Sequence, residues 1–147
     1  MQATLTNAAS RNSSKGFGFR VLNIVLWVFQ VVLAVAFLLH GWLTVAPPAE
    51  MVEMINAQLG VAFRLFIGIA ELLAAVGLIL PGITRILPQC ISLAAAGLMI
   101  VMASATLFHM ARGEGESAIT TAILFVIITA VAYLRWKVVP IAARKRG

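Results

Sequence analysis

The sequence predicts an all-α membrane protein, a four-transmembrane-helix up-down bundle with both termini cytoplasmic. Three observations carry that prediction. Of 147 residues, 62% are hydrophobic and 11% charged, against roughly 45–50% apolar and about 25% charged in soluble domains. The apolar residues fall in four runs of spanning length, with proline, glycine and charge between them. Lysine and arginine collect on one side of those runs. With a mean hydropathy of +1.03, a chain this small has too little interior to hide its apolar surface from water.

Residues 1–19, MQATLTNAASRNSSKGFGF, are polar and then glycine-rich, and read as a flexible N-terminal tail with Phe17 and Phe19 at the interface. A transmembrane domain is expected over 20–136, and residues 137–147 form a basic C-terminal tail. The first span is VLNIVLWVFQVVLAVAFLLHGWLTV, 21–45. Its basic flank and Thr44-Val45-Ala46 loosely resemble a signal peptide. The run is far longer than an apolar signal core of ~7–15 residues, and Pro47 disfavours cleavage, so a retained span is expected.

The further spans are 61–80, 86–108 and 117–136, each near the ~20 residues that cross the hydrocarbon core as a helix. The expected breaks are Pro47-Pro48, Pro81-Gly82 and the stretch Arg112 to Glu116. Pro88 falls in the first turn of the third span, where a missing N–H costs little. Loops this short make neighbouring helices antiparallel. Gly68, Ala75 and Gly77 in the second span, with Ala94, Gly97, Ser104 and Ala105 in the third, are expected at close helix contacts.

Arg11, Lys15 and Arg20 precede the first span, Arg85 lies in the second loop, and Arg135, Lys137, Arg144, Lys145 and Arg146 follow the last. The other side holds Arg112 and Arg64 beside Glu50, Glu53, Glu114 and Glu116. Positive residues stay cytoplasmic, which places the first and third loops outside, in a bacterial-type inner membrane. The net charge of +6 thus suits lipid headgroups, and no nucleic-acid module accompanies it. The single cysteine, Cys90, excludes a dithiol pair and reads as a packed thiol.

The charges inside the second span, VAFRLFIGIAELLAAVGLIL, bear most directly on function. Arg64 lies within a turn of the outer face, and Glu71 is seven residues deeper, or ~10 Å along a helix. That separation is almost two turns, so both fall on one side with Gly68 between them. A charge at the centre of a span costs ~2.5–3.5 kcal/mol on the insertion scale, so Glu71 must face a partner, water or a proton. His40 and His109 end the first and third spans, and the four groups are expected to converge on an outward-facing polar pocket.

Several chemistries are compatible with that set. A quinone pocket would take a hydrogen bond from His40 or His109 to a ring carbonyl, with Glu71 carrying the proton. A b-type haem would use the two histidines as axial ligands, and a divalent metal would take His40, Glu71 and His109. The spacing favours neither of these, and no metal site is expected. Hydrolase triads, phosphate loops and dinucleotide fingerprints are absent from the sequence. A structural use is open to every one of these residues, with Arg64 snorkelling and the histidines hydrated or capping.

The stretches FRLFIGIAELLAAVGLILPGITRILP (63–88) and LAAAGLMIVMASATLFHMARGE (93–114), with His40-Gly41, resemble the DoxX-like family of small four-helix membrane proteins. The resemblance covers about 21–136 and implies Arg64, Glu71 and His109 as motif positions, with His40 at a more variable one. Such proteins include subunits of thiosulfate:quinone oxidoreductase, members of oxidative-stress complexes, and a branch assisting receptor assembly. The expected function is therefore a membrane component of a quinone-linked redox or redox-stress system. Lacking a flavin fingerprint and a cysteine pair, it would need a soluble or membrane partner for the redox centre.

The alternative is a non-catalytic accessory or assembly protein whose polar cluster orients helices or binds a lipid. A solute or proton pathway would need polar groups through the inner half as well, where the sequence offers Asn23, Gln30, Gln89, Cys90 and Ser92. Membrane lipids are expected partners, and a second copy of the chain is a further one.

Overall fold

The computed structural model describes the backbone of residues 2–144 and the side chains of 16–144. Lys145 and Arg146 of the expected basic tail lie outside the described residues, as do the side chains of Arg11 and Lys15. The regular structure of the described residues is all helical, with α1 at Gln2–Val45, α2 at Ala49–Leu59, α3 at Val61–Thr84, α4 at Cys90–Ala111 and α5 at Gly115–Tyr133. A π-helical turn, Leu134–Val138, extends α5.

Four segments are long and apolar enough to cross a membrane, namely Gly16–Val45, Val61–Thr84, Cys90–Ala111 and Gly115–Val138. Their outward faces carry large apolar side chains such as Leu93 and Ile100, each 70% exposed. Lipid is the solvent that tolerates such a surface.

Besides α1, whose backbone is helical from Gln2 where a flexible tail was expected over 1–19, the boundaries differ from the sequence expectation at three places. Pro81-Gly82 does not end α3, which runs through Pro81 to Thr84 and stops at Arg85 in a left-handed conformation. Proline costs one backbone hydrogen bond, which spanning helices absorb through their neighbours. Here Gly82 lies buried against Trp27 and Ile141, whose side chains would clash with a Cβ. Pro88 precedes α4 rather than lying in its first turn, because Arg85 and Leu87 both have positive φ and residues 87–92 make tight turns before the helix is established.

The third difference is α2, a short helix not expected between the first two spans. Val52, Ile55, Asn56 and Leu59 are its half-buried positions, a spacing of one helical face, and that face packs on α3. Pro48 precedes its first turn, and Glu50 within that turn suits the positive helix end. A single residue, Gly60, joins α2 to α3 at φ 73° and ψ 150°, a conformation essentially reserved for glycine.

The principal packing pairs are α1 with α3, α3 with α4, and α4 with α5. Contacts step down α1 as they step up α3, from Gly41 on Gly68 through Gln30 on Leu78 to Trp27 on Gly82. The core between the helices holds Leu26, Leu33, Phe37, Leu78, Ile91, Leu98, Met102 and Ile128. Among the expected small-residue contacts, Gly68 lies against Val45 and Gly41, and Gly77 against Ala94. Gly97 and Ser104 instead face outward, and a Cβ on Gly97 would meet nothing within 4 Å. α4 turns Ala95, Leu98 and Met102 inward, which puts Gly97 on the opposite face.

Candidate functional site

α3 buries one continuous stripe, Arg64, Gly68, Glu71, Ala75, Leu78 and Gly82. The spacing of three and four residues keeps all six on one face. Both charges of the second span therefore point toward α1, with Arg64 at 7% and Glu71 at 1% exposure. What each meets there depends on how closely the helices approach.

The approach is set by Gly41 and Gly68. A Cβ on Gly41 would lie 2.9 Å from the Gly68 carbonyl and 3.1 Å from the Glu71 Cβ. A Cβ on Gly68 would lie 2.6 Å from the Val45 side chain and 3.0 Å from the Gly41 carbonyl. With neither Cβ present the backbones touch, and His40 Nδ1 comes within 2.7 Å of Glu71 Oε2. The glutamate is fully enclosed, whereas the His40 side chain is 66% exposed. The other carboxyl oxygen, Oε1, is buried without a partner among the described residues.

Arg64 serves a different purpose. Its NH1 donates to the carbonyls of Thr44 at 2.6 Å and Val45 at 3.0 Å. These are the final carbonyls of α1, left without intrahelical partners at a negative helix end. Thr44 in turn donates to the His40 carbonyl. Arg64 thus ties α3 to the end of α1, and Arg64 Nε and Asn56 Oδ1 are buried without hydrogen-bond partners among the described residues. Arg64→Ala, which strips two carbonyls of a charged donor, is expected to cost about 1.5–2 kcal/mol; thermal unfolding in detergent measures it.

The structure therefore brings His40 and Glu71 together and places Arg64 almost two turns away along α3, on the Thr44 and Val45 carbonyls, but it does not bring in His109. His109 Nδ1 lies 2.6 Å from Glu114 Oε2, and Arg112 Nε donates to Glu114 Oε1 at 2.6 Å. The loop from α4 to α5 turns at Gly113, with φ 73°, so Glu114 folds back onto the end of α4. A local partner five residues away takes the imidazole before a distant helix reaches it. Among the described residues no three His, Cys, Asp or Glu side chains gather as a metal site, and the two histidines sit in separate pairs.

The Arg112 guanidinium and the His109 ring hold the Glu114 carboxyl below the usual glutamate range. A carboxyl depressed in the folded state adds stability above its unfolded value and loses it as pH falls through the folded value. Glu114 is solvent-exposed at this loop, so the effect on stability is small. A direct titration by carboxyl NMR is expected to show a low midpoint, and Arg112→Ala is expected to raise it.

At the opposite end of the bundle is a polar cluster that the sequence reading did not identify. Arg135, expected as a cytoplasmic flanking charge, is 4% exposed. Its Nε donates to Gln30 Oε1 at 2.5 Å and its NH1 to Asn23 Oδ1 at 2.7 Å. The guanidinium lies 5.5 Å from the Trp27 ring centroid, and Gln30 Nε2 donates to the Leu78 carbonyl at 2.6 Å. The signal was periodicity, since Ile128, Val131 and Arg135 share one face of α5 and its π-helical extension, as Leu26, Gln30, Leu33 and Phe37 do on α1. Leu33, Ala34, Phe37 and Ala75 are buried between the two clusters, so no polar file connects them.

The sequence profile of the DoxX-like family matches residues 28–131. No curated protein and no solved structure matches the chain.

Proposed function

The chain belongs to the DoxX-like family of membrane proteins, and from that premise we propose that it is a membrane subunit of a quinone-linked redox or redox-stress system. The four spans form an up-down bundle, with both termini cytoplasmic and the α1–α2 and α4–α5 connections outside. The end carrying His40, Arg64 and Glu71 is then the outer end, and His40 with Glu71 is its ligand-handling pair.

The supporting observation is the 2.7 Å contact between an enclosed carboxyl and a largely exposed imidazole. A buried carboxyl is costly unless it shares a proton or receives hydrogen bonds. Here the imidazole links that carboxyl to the protein surface within the span. Such a pair suits a ligand with two carbonyls that takes up protons when reduced. His40 presents a ring nitrogen as hydrogen-bond donor, and Glu71 holds the proton that replaces the one delivered. The electrons come from a partner protein with its own redox centre. The three orphaned atoms, Asn56 Oδ1, Arg64 Nε and Glu71 Oε1, support a polar pocket at this end.

The test is quinone content. Protein purified in mild detergent is expected to retain quinone above the level of bulk lipid, and Glu71→Gln is expected to lower retention at least tenfold. No enrichment in the wild type, with Glu71→Gln changing only yield, would remove the redox reading. A Soret band in the optical spectrum would redirect it to haem.

Arg64 favours a second reading, an accessory or assembly protein, because it is spent on α1's final carbonyls rather than on a ligand. In that case Glu71→Gln lowers abundance with no ligand lost. Topology has its own check: in a Cys90→Ala background, cysteines at Glu53 and Gly115 are expected to react with impermeant reagents from outside. Labelling only from the cytoplasmic side would reverse the orientation.

A further inference from the structure

The Arg135 cluster carries a charge problem of its own. A buried guanidinium ordinarily has a carboxylate beside it, because a lone ion in a low-dielectric interior is costly. The chain has five acidic side chains, Glu50, Glu53, Glu71, Glu114 and Glu116, all within the described residues. None forms an ion pair with Arg135. Among the described residues its partners are neutral throughout, comprising two amide oxygens, the Val139 carbonyl and the Trp27 ring. The third nitrogen, NH2, is buried, and among the described residues neither of its N–H groups finds an acceptor.

Neutral acceptors satisfy hydrogen bonds but do not cancel charge. Gln30 occupies Nε and Asn23 occupies NH1, and together they hold the guanidinium fork in place with one edge uncommitted. The exposed charges at this end of the bundle are basic. The backbone hydrogen bond from Arg144 to the Arg85 carbonyl sets those two exposed arginines side by side. Lys137 and Trp136 follow Arg135 on the exposed side of the π-helical turn. Residues 140–144, which follow the Val139 carbonyl that Arg135 bonds, are irregular chain, tied down by the hydrogen bond from Arg144 to Arg85 and by Ile141 against Gly82. A buried cation with an uncommitted donor edge, at an end of the bundle whose exposed charges are basic, suits an anion.

We infer that this end of the bundle binds a phosphate-class anion, with Arg135 supplying the charge and Asn23 and Gln30 acting as positioning residues. The anion's oxygen accepts from Arg135 NH2. Because the site lies at the end of a span, a lipid headgroup and a free phosphate present the same chemistry. The inference is independent of the quinone reading, since the two clusters share no residue.

Asn23→Asp isolates the charge. It keeps the acceptor for Arg135 NH1 in nearly the same shape while adding an internal counter-ion. Full-length protein, delipidated in mild detergent, is titrated with phosphatidylglycerol, phosphatidylcholine and inorganic phosphate. Native mass spectrometry reads the lipids, and thermal unfolding reads the phosphate.

The expected result is one saturable phosphatidylglycerol, bound at least tenfold more tightly than phosphatidylcholine and weakened at least tenfold by Asn23→Asp and by Arg135→Gln. If phosphate stabilises wild type but not Asn23→Asp, and the lipids do not differ, the site stands with a soluble anion as its occupant. Equal phosphatidylglycerol and phosphate responses in wild type and Asn23→Asp overturn it. A loss in Lys137→Gln as large as in Arg135→Gln also overturns it, because the attraction then belongs to the exposed basic surface. Should Arg135→Gln fail to fold, Asn23→Asp decides alone.

Discussion

Gly68→Val is expected to destabilise the protein by about 2–3 kcal/mol and to separate His40 from Glu71. Even the first carbon of the new side chain would lie 2.6 Å from Val45 Cγ2 and 3.0 Å from the Gly41 carbonyl. Val45 is β-branched and stiff, and the other obstacle is backbone, so the helices must part. Overpacking a close contact costs typically about 1–3 kcal/mol, and valine adds two methyls beyond the Cβ.

The control is Gly97→Val, on the open face of α4, where a Cβ meets nothing within 4 Å; it is expected within about 0.5 kcal/mol of wild type. Thermal unfolding followed by near-ultraviolet circular dichroism gives the stability difference. The chain has only two histidines, so nitrogen NMR of histidine-labelled protein resolves His40 and reports whether its Nδ1 keeps a carboxyl partner. An unchanged His40 signal in a folded Gly68→Val protein would show that the glycine contact does not set that distance.

The second large effect is expected from Arg135→Ala, at about 2–4 kcal/mol. Removing the guanidinium orphans Gln30 Oε1, on a residue with no exposure, and Asn23 Oδ1. Each orphaned acceptor costs roughly 1–3 kcal/mol, partly offset because a buried charge is also removed. Gln30→Leu alone leaves Arg135 Nε without its acceptor and is expected to cost a similar amount.

The double variant, Arg135→Ala with Gln30→Leu, is expected to lose less than the sum of the two, since neither remaining side chain then lacks this partner. Denaturation of all four proteins in one detergent closes the cycle. Strict additivity would mean that the contact contributes nothing to stability.

Both effects concern contacts between helices, and there the sequence and the structure part company. Composition and the four apolar runs identify a membrane protein with four spans, because crossing the hydrocarbon demands length and hydropathy that are local properties. The stripe of Arg64, Gly68 and Glu71 on one face was equally legible, since the 3.6-residue period is a property of one helix. The α2 helix was readable in principle from Val52, Ile55, Asn56 and Leu59, but eleven residues with two glutamates give no spanning signal.

Partner choice was not legible. Periodicity specifies which face of a helix turns inward, and it says nothing about the sliding offset of one helix against the next. That offset follows from Gly41 seated on Gly68, and it gives Glu71 to His40 while leaving Arg64 for the α1 carbonyls. His109 was captured by Glu114 through a tight loop whose fold a hydropathy pattern does not record.

The sequence by itself determined the solvent, the number of spans and the buried face of α3, all of which depend on residues near one another in the chain. Only the tertiary structure decided which polar groups meet and that Arg135 turns inward. A charge at the end of a span can reach headgroups or neighbouring helices at similar cost, and the acceptors on Asn23 and Gln30, more than a hundred residues away, tip that balance.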